Sequence, residues 1–255
     1  MAWEASALRP AGSTAGVILF CLLALAGLFW VTLPSAEPLR RGNPASTALI
    51  KARAEEAREQ GRPARFNQHW VPLNRISPWL QRAVVNSEDA RFFEHDGIDV
   101  EQTKIALTTA VEEGHFQRGA STITQQLAKN LWLGEQRTLW RKLREVILAR
   151  RLEKLGKERV LELYLNVVEW GDGIYGADAA ARVWFGKPAS DLLPEESAIL
   201  AAMLPAPLKR NPLHPSKALR KRAYEVLRLY WGYQELSDDE YAEARWRLDG
   251  LLAGS

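Results

Sequence analysis

The sequence predicts a mainly α-helical protein in which one transmembrane helix precedes a helical body. Three observations support this fold class. Residues 15–33 carry no charge, apolar residues in the following region recur at the three- and four-residue spacing of helices, and no regular succession of strand patterns is found. At 255 residues the chain is long enough for one hydrophobic core, and its 47% hydrophobic and 25% charged residues are typical of a folded protein.

The N-terminal region consists of a short tail, residues 1–14, and the apolar segment 15–33. As a helix rising ~1.5 Å per residue, this segment is about 28 Å long, close to the ~30 Å hydrocarbon core of a bilayer. We therefore predict a transmembrane anchor. The alternative is a cleaved signal peptide, whose apolar run is usually shorter, about 7–15 residues. The count of Lys and Arg on the two sides weakly favours a cytoplasmic location for the body.

We divide the remaining chain into a stalk, residues 34–65, and a body, residues 66–255. The stalk is rich in Pro, Ala, Arg and Glu, and its one short helix is expected to end near Gly61. Helical patterns dominate the body, and a proline-rich loop at 204–217 precedes a terminal helix and a final, well-capped one.

The charge distribution indicates what the body binds. The net charge of +3 is too small to indicate nucleic acid. Residues 118–159, however, contain eleven Lys or Arg against four Glu, which predicts an anionic ligand. No cluster of His and Cys supports a zinc site, and the single cysteine, Cys21, excludes an intramolecular disulfide.

The stretch "AVVNSEDARFFEHDGID" at 83–99 raises the first question of chemistry. Residues at steps of four share one helix face: Leu80, Val84, Glu88 and Phe92. Burying an unpaired carboxylate costs several kcal/mol or raises its pKa. Glu88 is therefore neutralised, paired or used in a reaction. We interpret Asp89 as structural and expect His95 to form a hydrogen bond and not to bind a metal.

A second stretch, "RGASTITQQLAKNLWL", predicts a helix with a polar face at its N-terminus. Thr122 and Gln125 have the spacing of a capping box, and the apolar face is formed by Ile123, Leu127 and Leu131. Thr122, Gln125 and Lys129 are expected to point together from a helix end that favours anions. The alternative is a capped amphipathic helix at the surface.

A third stretch, residues 139–157, predicts a helix that is buried over much of its circumference. Its apolar residues form two faces: Leu139, Leu143 and Ile147 on one, and Leu148, Leu152 and Leu155 on the other. Glu145 falls on an apolar stripe. The alternative to a functional role is an i,i+4 ion pair with Arg141, worth only a few tenths of a kcal/mol.

Together these side chains favour glycosyl chemistry, in which one carboxylate acts as base and a second assists departure of the leaving group. A hydrolase must protonate a departing sugar hydroxyl, whereas a departing pyrophosphate needs positive charge around it. Lys129, Arg141 and Lys142 fit the second case better.

Five motifs carry a resemblance to a known family: "EDARFFEHDGID", "RGASTITQQLAKN", "RKLRE", "KERVLELYLN" and "GIYGADAAARVWFGK". In order and spacing they resemble the peptidoglycan glycosyltransferases of family 51, the transglycosylase domain of penicillin-binding proteins. The resemblance covers about residues 70–215. Because the chain has no Ser-x-x-Lys transpeptidase motif, it is most similar to the monofunctional, biosynthetic members of that family.

The resemblance implies a lysozyme-like α-helical head with a small membrane-proximal jaw. It also implies polymerisation of lipid II into β-1,4-linked glycan strands by inverting transfer, with release of undecaprenyl pyrophosphate. The implied location is the bacterial inner membrane with the catalytic domain on the periplasmic side, which overrules the charge count. Implied partners are lipid II, the growing strand, membrane lipids and other proteins of cell-wall synthesis, but not nucleic acid. The sequence requires no cofactor and leaves a divalent cation open.

The resemblance also assigns roles by position. Glu88 matches the glutamate proposed as general base, and Glu145 matches a glutamate that supports the site. We expect seven residues to bind substrate, with the cations at the pyrophosphate: Arg118, Ser121, Thr122, Gln125, Lys129, Arg141 and Lys142. Two alternatives to the polymerase are a membrane-anchored muramidase of similar fold and an inactive scaffold of cell-wall synthesis.

Overall fold

The computed structural model describes residues 11–113, 121–134, 136 and 138–253. The chain divides after Ser35 into two compact units. The first contains helix α1, Ala11–Thr32, which is long and apolar enough to cross a membrane. The helix expected at 15–33 is therefore present, whereas its insertion into a bilayer stays a prediction.

The second unit is mainly helical, as the sequence predicts. Its helices are α2 (Ala48–Glu59), α3 (Pro78–Glu88), α4 (Val100–Glu113), α5 (Ile123–Ala128), α6 (Leu139–Glu153), α7 (Lys157–Val167), α8 (Ala177–Phe185), α9 (Pro194–Met203), α10 (Lys217–Gly232) and α11 (Asp238–Leu252). One turn of π-helix, Lys129–Leu133, continues α5.

Helix α9 is the centre of the core. All of its residues are buried, and it packs against α3, α10 and α11. Its sequence is apolar apart from a few polar residues near its start, as expected of a helix enclosed on all sides. Because α3 packs directly on this central helix, the end of α3 is held in a fixed position.

A small sheet of three short strands lies beside the helices. Strand β3 (Ile174–Tyr175) pairs in parallel with β1 (Asn67–Gln68) and antiparallel with β2 (Glu169–Gly171). Gly173 in the connecting turn has φ +74°, and a Cβ there would lie 2.6 Å from the carbonyl oxygen of Arg65. Both the backbone conformation and the close approach of Arg65 therefore require glycine at this position.

The predicted stalk differs from the structure. Residues from Ala36 onward belong to the same compact unit as the rest of the body, and α2 buries Leu49 and Ala57. Between them, Arg53 Nε lies 3.0 Å from Oε2 of buried Glu169. Most of the charged side chains of α2 are exposed, which is why its composition resembled that of an exposed segment.

Two helix predictions need correction. Helix α3 ends at Glu88, so Phe92, although buried, is not on the same helix face. In α6, Leu148 and Leu152 are buried, but Leu139 is 92% exposed and Leu143 is 46% exposed. Helix α6 buries the face that packs against α5. The first turns of α6 leave their apolar side chains exposed on the surface.

Candidate active site

A polar cleft of about 220 Å³ lies at the end of α3. Its wall is formed by the last residues of α3, the turn that follows, the start of α4 and the turn before α5. Glu88, Asp99, Ser121 and Thr122 are among the lining residues. Three of these were predicted from the sequence as site residues, and the fold brings them to one cleft.

Glu88 is the last residue of α3 and is partly buried. Its Oε2 accepts a hydrogen bond from Gln126 Nε2 at 2.9 Å. Burial raises the pKa of Glu88, whereas the Gln126 hydrogen bond and the charges of Arg222, Arg210 and Lys129 act to lower it. A carboxylate with increased proton affinity at the edge of a cleft is suited to general-base catalysis.

Gln126 is held from its other side by Tyr164. The Tyr164 hydroxyl donates to Gln126 Oε1 at 2.9 Å, and Tyr164 is fully buried in α7. Sequence reasoning selected the neighbouring Gln125 and missed Gln126. The sequence does contain a hint of Gln126, because both glutamines belong to the same polar motif. Helical spacing alone, however, did not show which of the two reaches Glu88.

Asp89 joins three parts of the site. Its Oδ2 accepts the backbone N–H of Ile123 at 2.9 Å, at the start of α5, and its Oδ1 is hydrogen-bonded to His95 Nε2 at 2.9 Å. The structural role expected of Asp89 and the hydrogen bond expected of His95 are both confirmed. The turn after Glu88 is therefore fixed to the beginning of α5.

The capping box at the start of α5 is confirmed. Thr122 Oγ1 accepts from the Gln125 backbone N–H, and Gln125 Oε1 accepts from the Thr122 backbone N–H at 3.0 Å. Thr122 also donates to the carbonyl oxygen of Gly97 at 2.7 Å, and both side chains are buried. The cap engages both side chains, and the expectation that they point together with Lys129 stays a prediction. Contact of either residue with substrate stays a prediction.

Glu145 is 3% exposed and holds two cations. Its Oε2 lies 2.5 Å from Arg141 and its Oε1 lies 2.5 Å from Lys142, whose Nζ also donates to Ser121 Oγ at 3.1 Å. The ion pair with Arg141 considered from the sequence is thus present, and Lys142 adds a second one. With one negative and two positive charges, this cluster keeps a net positive charge for an anion.

Two arginines from the C-terminal part of the chain were not predicted as site residues. Arg222 of α10 donates to the carbonyl oxygen of Ser87 at 2.9 Å, and Arg210 lies in the proline-rich loop. Burial and the charge of Arg222 lower the pKa of Arg210. No local pattern connects these residues to Glu88, because they are more than a hundred positions away along the chain and only tertiary packing brings them to it.

Arg118, which was expected to bind substrate, lies outside the residues that the structure describes. Within the described ranges, no group of three or more His, Cys, Asp or Glu side chains is arranged to hold a metal ion.

A helical body with a carboxylate of raised pKa at a cleft and a cluster of cations held by Glu145 fits an enzyme of glycosyl transfer. The transglycosylase family model matches residues 55–230. Proteins named biosynthetic peptidoglycan transglycosylase are similar to this chain in Nitrosospira multiformis (46% identity over 65% of this chain and 72% of that protein), Azoarcus sp. (47%, 67% and 74%) and Methylobacillus flagellatus (38%, 82% and 91%). The chain therefore belongs to the transglycosylase family and is a glycosyltransferase.

Proposed function

We propose that this chain polymerises lipid II into β-1,4-linked peptidoglycan strands and releases undecaprenyl pyrophosphate. The observation that carries the proposal is the environment of Glu88, which lines the cleft with a pKa that burial raises and that nearby cations act to lower. The names of the relatives support the same reaction.

In the proposed reaction, Glu88 accepts the proton of the 4-hydroxyl on the acceptor sugar. The hydroxyl oxygen bonds to the anomeric carbon of the donor as the bond from that carbon to the pyrophosphate breaks. The electron pair of that bond leaves with the pyrophosphate. One displacement converts the α linkage of the donor into the β linkage of the product, so the configuration is inverted.

The cations stabilise the charge that the leaving group gains. The charge of Lys129 acts on Glu88, while Arg141 and Lys142 are fixed by Glu145. Preorganised positive charge of this kind is worth most in a site shielded from water. In this scheme Glu145 takes no proton, and its role is to hold Arg141 and Lys142 where the pyrophosphate departs.

Membrane attachment is the second part of the proposal. We infer that α1 is a single transmembrane anchor in the bacterial inner membrane and that the body lies on the periplasmic side. A substrate with a lipid tail requires an enzyme close to the bilayer. The exposed Leu139 and Trp140 at the start of α6 are suited to contact membrane lipids.

Incubation of the full chain with labelled lipid II tests the proposal. A polymerase converts lipid II into long glycan strands whose length grows with time. A muramidase would instead shorten purified glycan strands, and an inactive scaffold would leave both substrates unchanged. Either of these last two results would overturn the proposed function.

A further inference from the structure

Gln126 contacts two groups through the opposite ends of its amide. Its Nε2 donates to Glu88 and its Oε1 accepts from Tyr164, each at 2.9 Å. Glu88 ends α3, Gln126 lies in α5 and Tyr164 lies in α7. A line of two hydrogen bonds, the Tyr164–Gln126–Glu88 line, therefore connects three helices and ends on the carboxylate in the cleft.

The chemistry of the three groups sets the direction of this line. A Gln126 oxygen turned toward Glu88 would place two acceptors against each other, so the amide NH₂ must face the carboxylate. The amide oxygen then faces Tyr164, whose hydroxyl must donate. Burial, with the charges of Glu88 and Asp89, raises the pKa of Tyr164 well above its ordinary value, so the phenol keeps its proton. Tyr164 is thus a permanent donor.

We propose that Tyr164 is a positioning residue that acts through Gln126 to hold Glu88 as an oriented, ionised base. One carboxylate oxygen, Oε2, is occupied by Gln126, and the other is left for the acceptor hydroxyl. Tyr164 is fully buried and touches no substrate itself. This inference rests on the proposed role of Glu88 as the base.

Other charges act on Glu88 and stay in place when Tyr164 is changed. Lys129, Arg210 and Arg222 lower its pKa, and Asp89, the next residue, is held by Ile123 and His95. Among the described residues, the hydrogen bond of the Tyr164 hydroxyl goes to Gln126. Removing this hydroxyl therefore changes the contribution of Gln126 and leaves the other groups where they are.

Tyr164→Phe is the first test. Without the Tyr164 hydroxyl, the Gln126 amide is free to turn and spends part of its time without its hydrogen bond to Glu88. We therefore expect kcat for lipid II to fall roughly 3- to 10-fold with little change in KM. The Gln126 hydrogen bond lowers the pKa of Glu88, and weakening it lets that pKa rise. The acid limb of kcat against pH should therefore move upward, by about half to one pH unit.

Tyr230→Phe is the matched control. Tyr230 is also fully buried, and its hydroxyl donates to the carbonyl oxygen of Trp79 at 2.5 Å, outside the cleft. Each variant loses the hydrogen bond that a buried tyrosine hydroxyl donates, so we expect similar losses of stability. Only Tyr164→Phe should move the acid limb. A lowered kcat with an unmoved acid limb in Tyr164→Phe would indicate a merely structural role and overturn the proposal.

Gln126→Leu keeps the proposal testable even if Tyr164→Phe folds poorly. This variant should lower kcat and shift the acid limb in the same direction, and adding Tyr164→Phe to it should have no further effect on kcat. A wild-type acid limb in Gln126→Leu, or independent effects of the two substitutions, would refute the line. Polymerisation by Glu88→Gln would instead refute the base itself, so the two failures are distinguishable.

Discussion

Replacing Glu88 with glutamine should abolish polymerisation without weakening the fold. Glutamine has nearly the same size, and its amide oxygen still accepts the hydrogen bond that Gln126 makes at 2.9 Å. It does not accept the proton of the attacking hydroxyl at neutral pH. The reaction therefore loses the ~10²- to 10⁴-fold acceleration that a positioned base supplies.

The effect of Glu88→Gln on stability is the sum of two opposing changes. Burial raises the pKa of Glu88 above its ordinary 4.5, so the folded chain binds this proton more tightly than the unfolded chain. Stability falls as pH rises from 4.5 through the raised pKa, and glutamine removes that penalty. Glutamine also removes the favourable interaction of the Glu88 charge with Arg210 and Arg222. We expect no net loss of stability and a gain of at most about 1 kcal/mol, or roughly 2–4 °C in Tm.

Glu169→Gln is the matched control for a structural carboxylate. Glu169 is buried and lies 3.0 Å from Arg53, away from the cleft. Removing its charge takes one ion pair from Arg53, which also lies 2.9 Å from Glu56. We expect a loss of about 3 kcal/mol, or roughly 6–12 °C in Tm. Below its melting temperature, Glu169→Gln should still polymerise lipid II.

Thermal unfolding by circular dichroism and a labelled lipid II assay, run on the same preparations, distinguish the two roles. We expect Glu88→Gln to be inactive with an unchanged or slightly raised Tm, and Glu169→Gln to be active with a lowered Tm. Near-normal glycan synthesis by Glu88→Gln would refute the mechanism. A lowered Tm with substantial remaining synthesis would show that Glu88 serves a structural ion pair.

Three further predictions concern the leaving group, the anchor and the sheet. Lys129→Ala and Arg141→Ala should each lower turnover by roughly 10- to 10³-fold without unfolding the chain, and Arg141→Lys should recover only part because lysine lacks the planar fork; equal activity in all three variants would contradict this. Deletion of residues 1–33 should weaken sedimentation with membranes while polymerisation in detergent micelles persists, and an inactive truncated protein would argue against it. Gly173→Ala should lower the free energy of unfolding by at least about 2 kcal/mol in a denaturant titration, because φ is +74° and the added Cβ meets the Arg65 carbonyl; an unchanged midpoint would exclude that clash.

The sequence predicted the local structure well because helix signals are local. The capping box at Thr122 and the apolar stripe of Ile123, Leu127 and Leu131 are both present. Each depends only on residues within a few turns of one another. The same kind of reasoning singled out Glu88, because a charged group interrupted an apolar face.

The sequence did not predict which faces meet. Gln126 reaches Glu88 and Gln125 does not, although both lie in one polar stretch. Arg222 joins the site from a helix far along the chain, and Arg53 attaches the supposed stalk to the body through Glu169. Such contacts depend on the packing of separate helices, which periodicity within one helix does not encode.

The termination of α3 at Glu88 limits how this protein can vary in length. The backbone leaves the helical conformation at Asp89, with φ −162° and ψ 71°, so two adjacent carboxylates serve different purposes. Glu88 faces the cleft, and Asp89 fixes the start of α5. An insertion or deletion of one residue within α3 would rotate its end by about 100° and move Ser87 or Asp89 into the place of Glu88. Exposed side chains of α3 can change, but the number of its residues cannot.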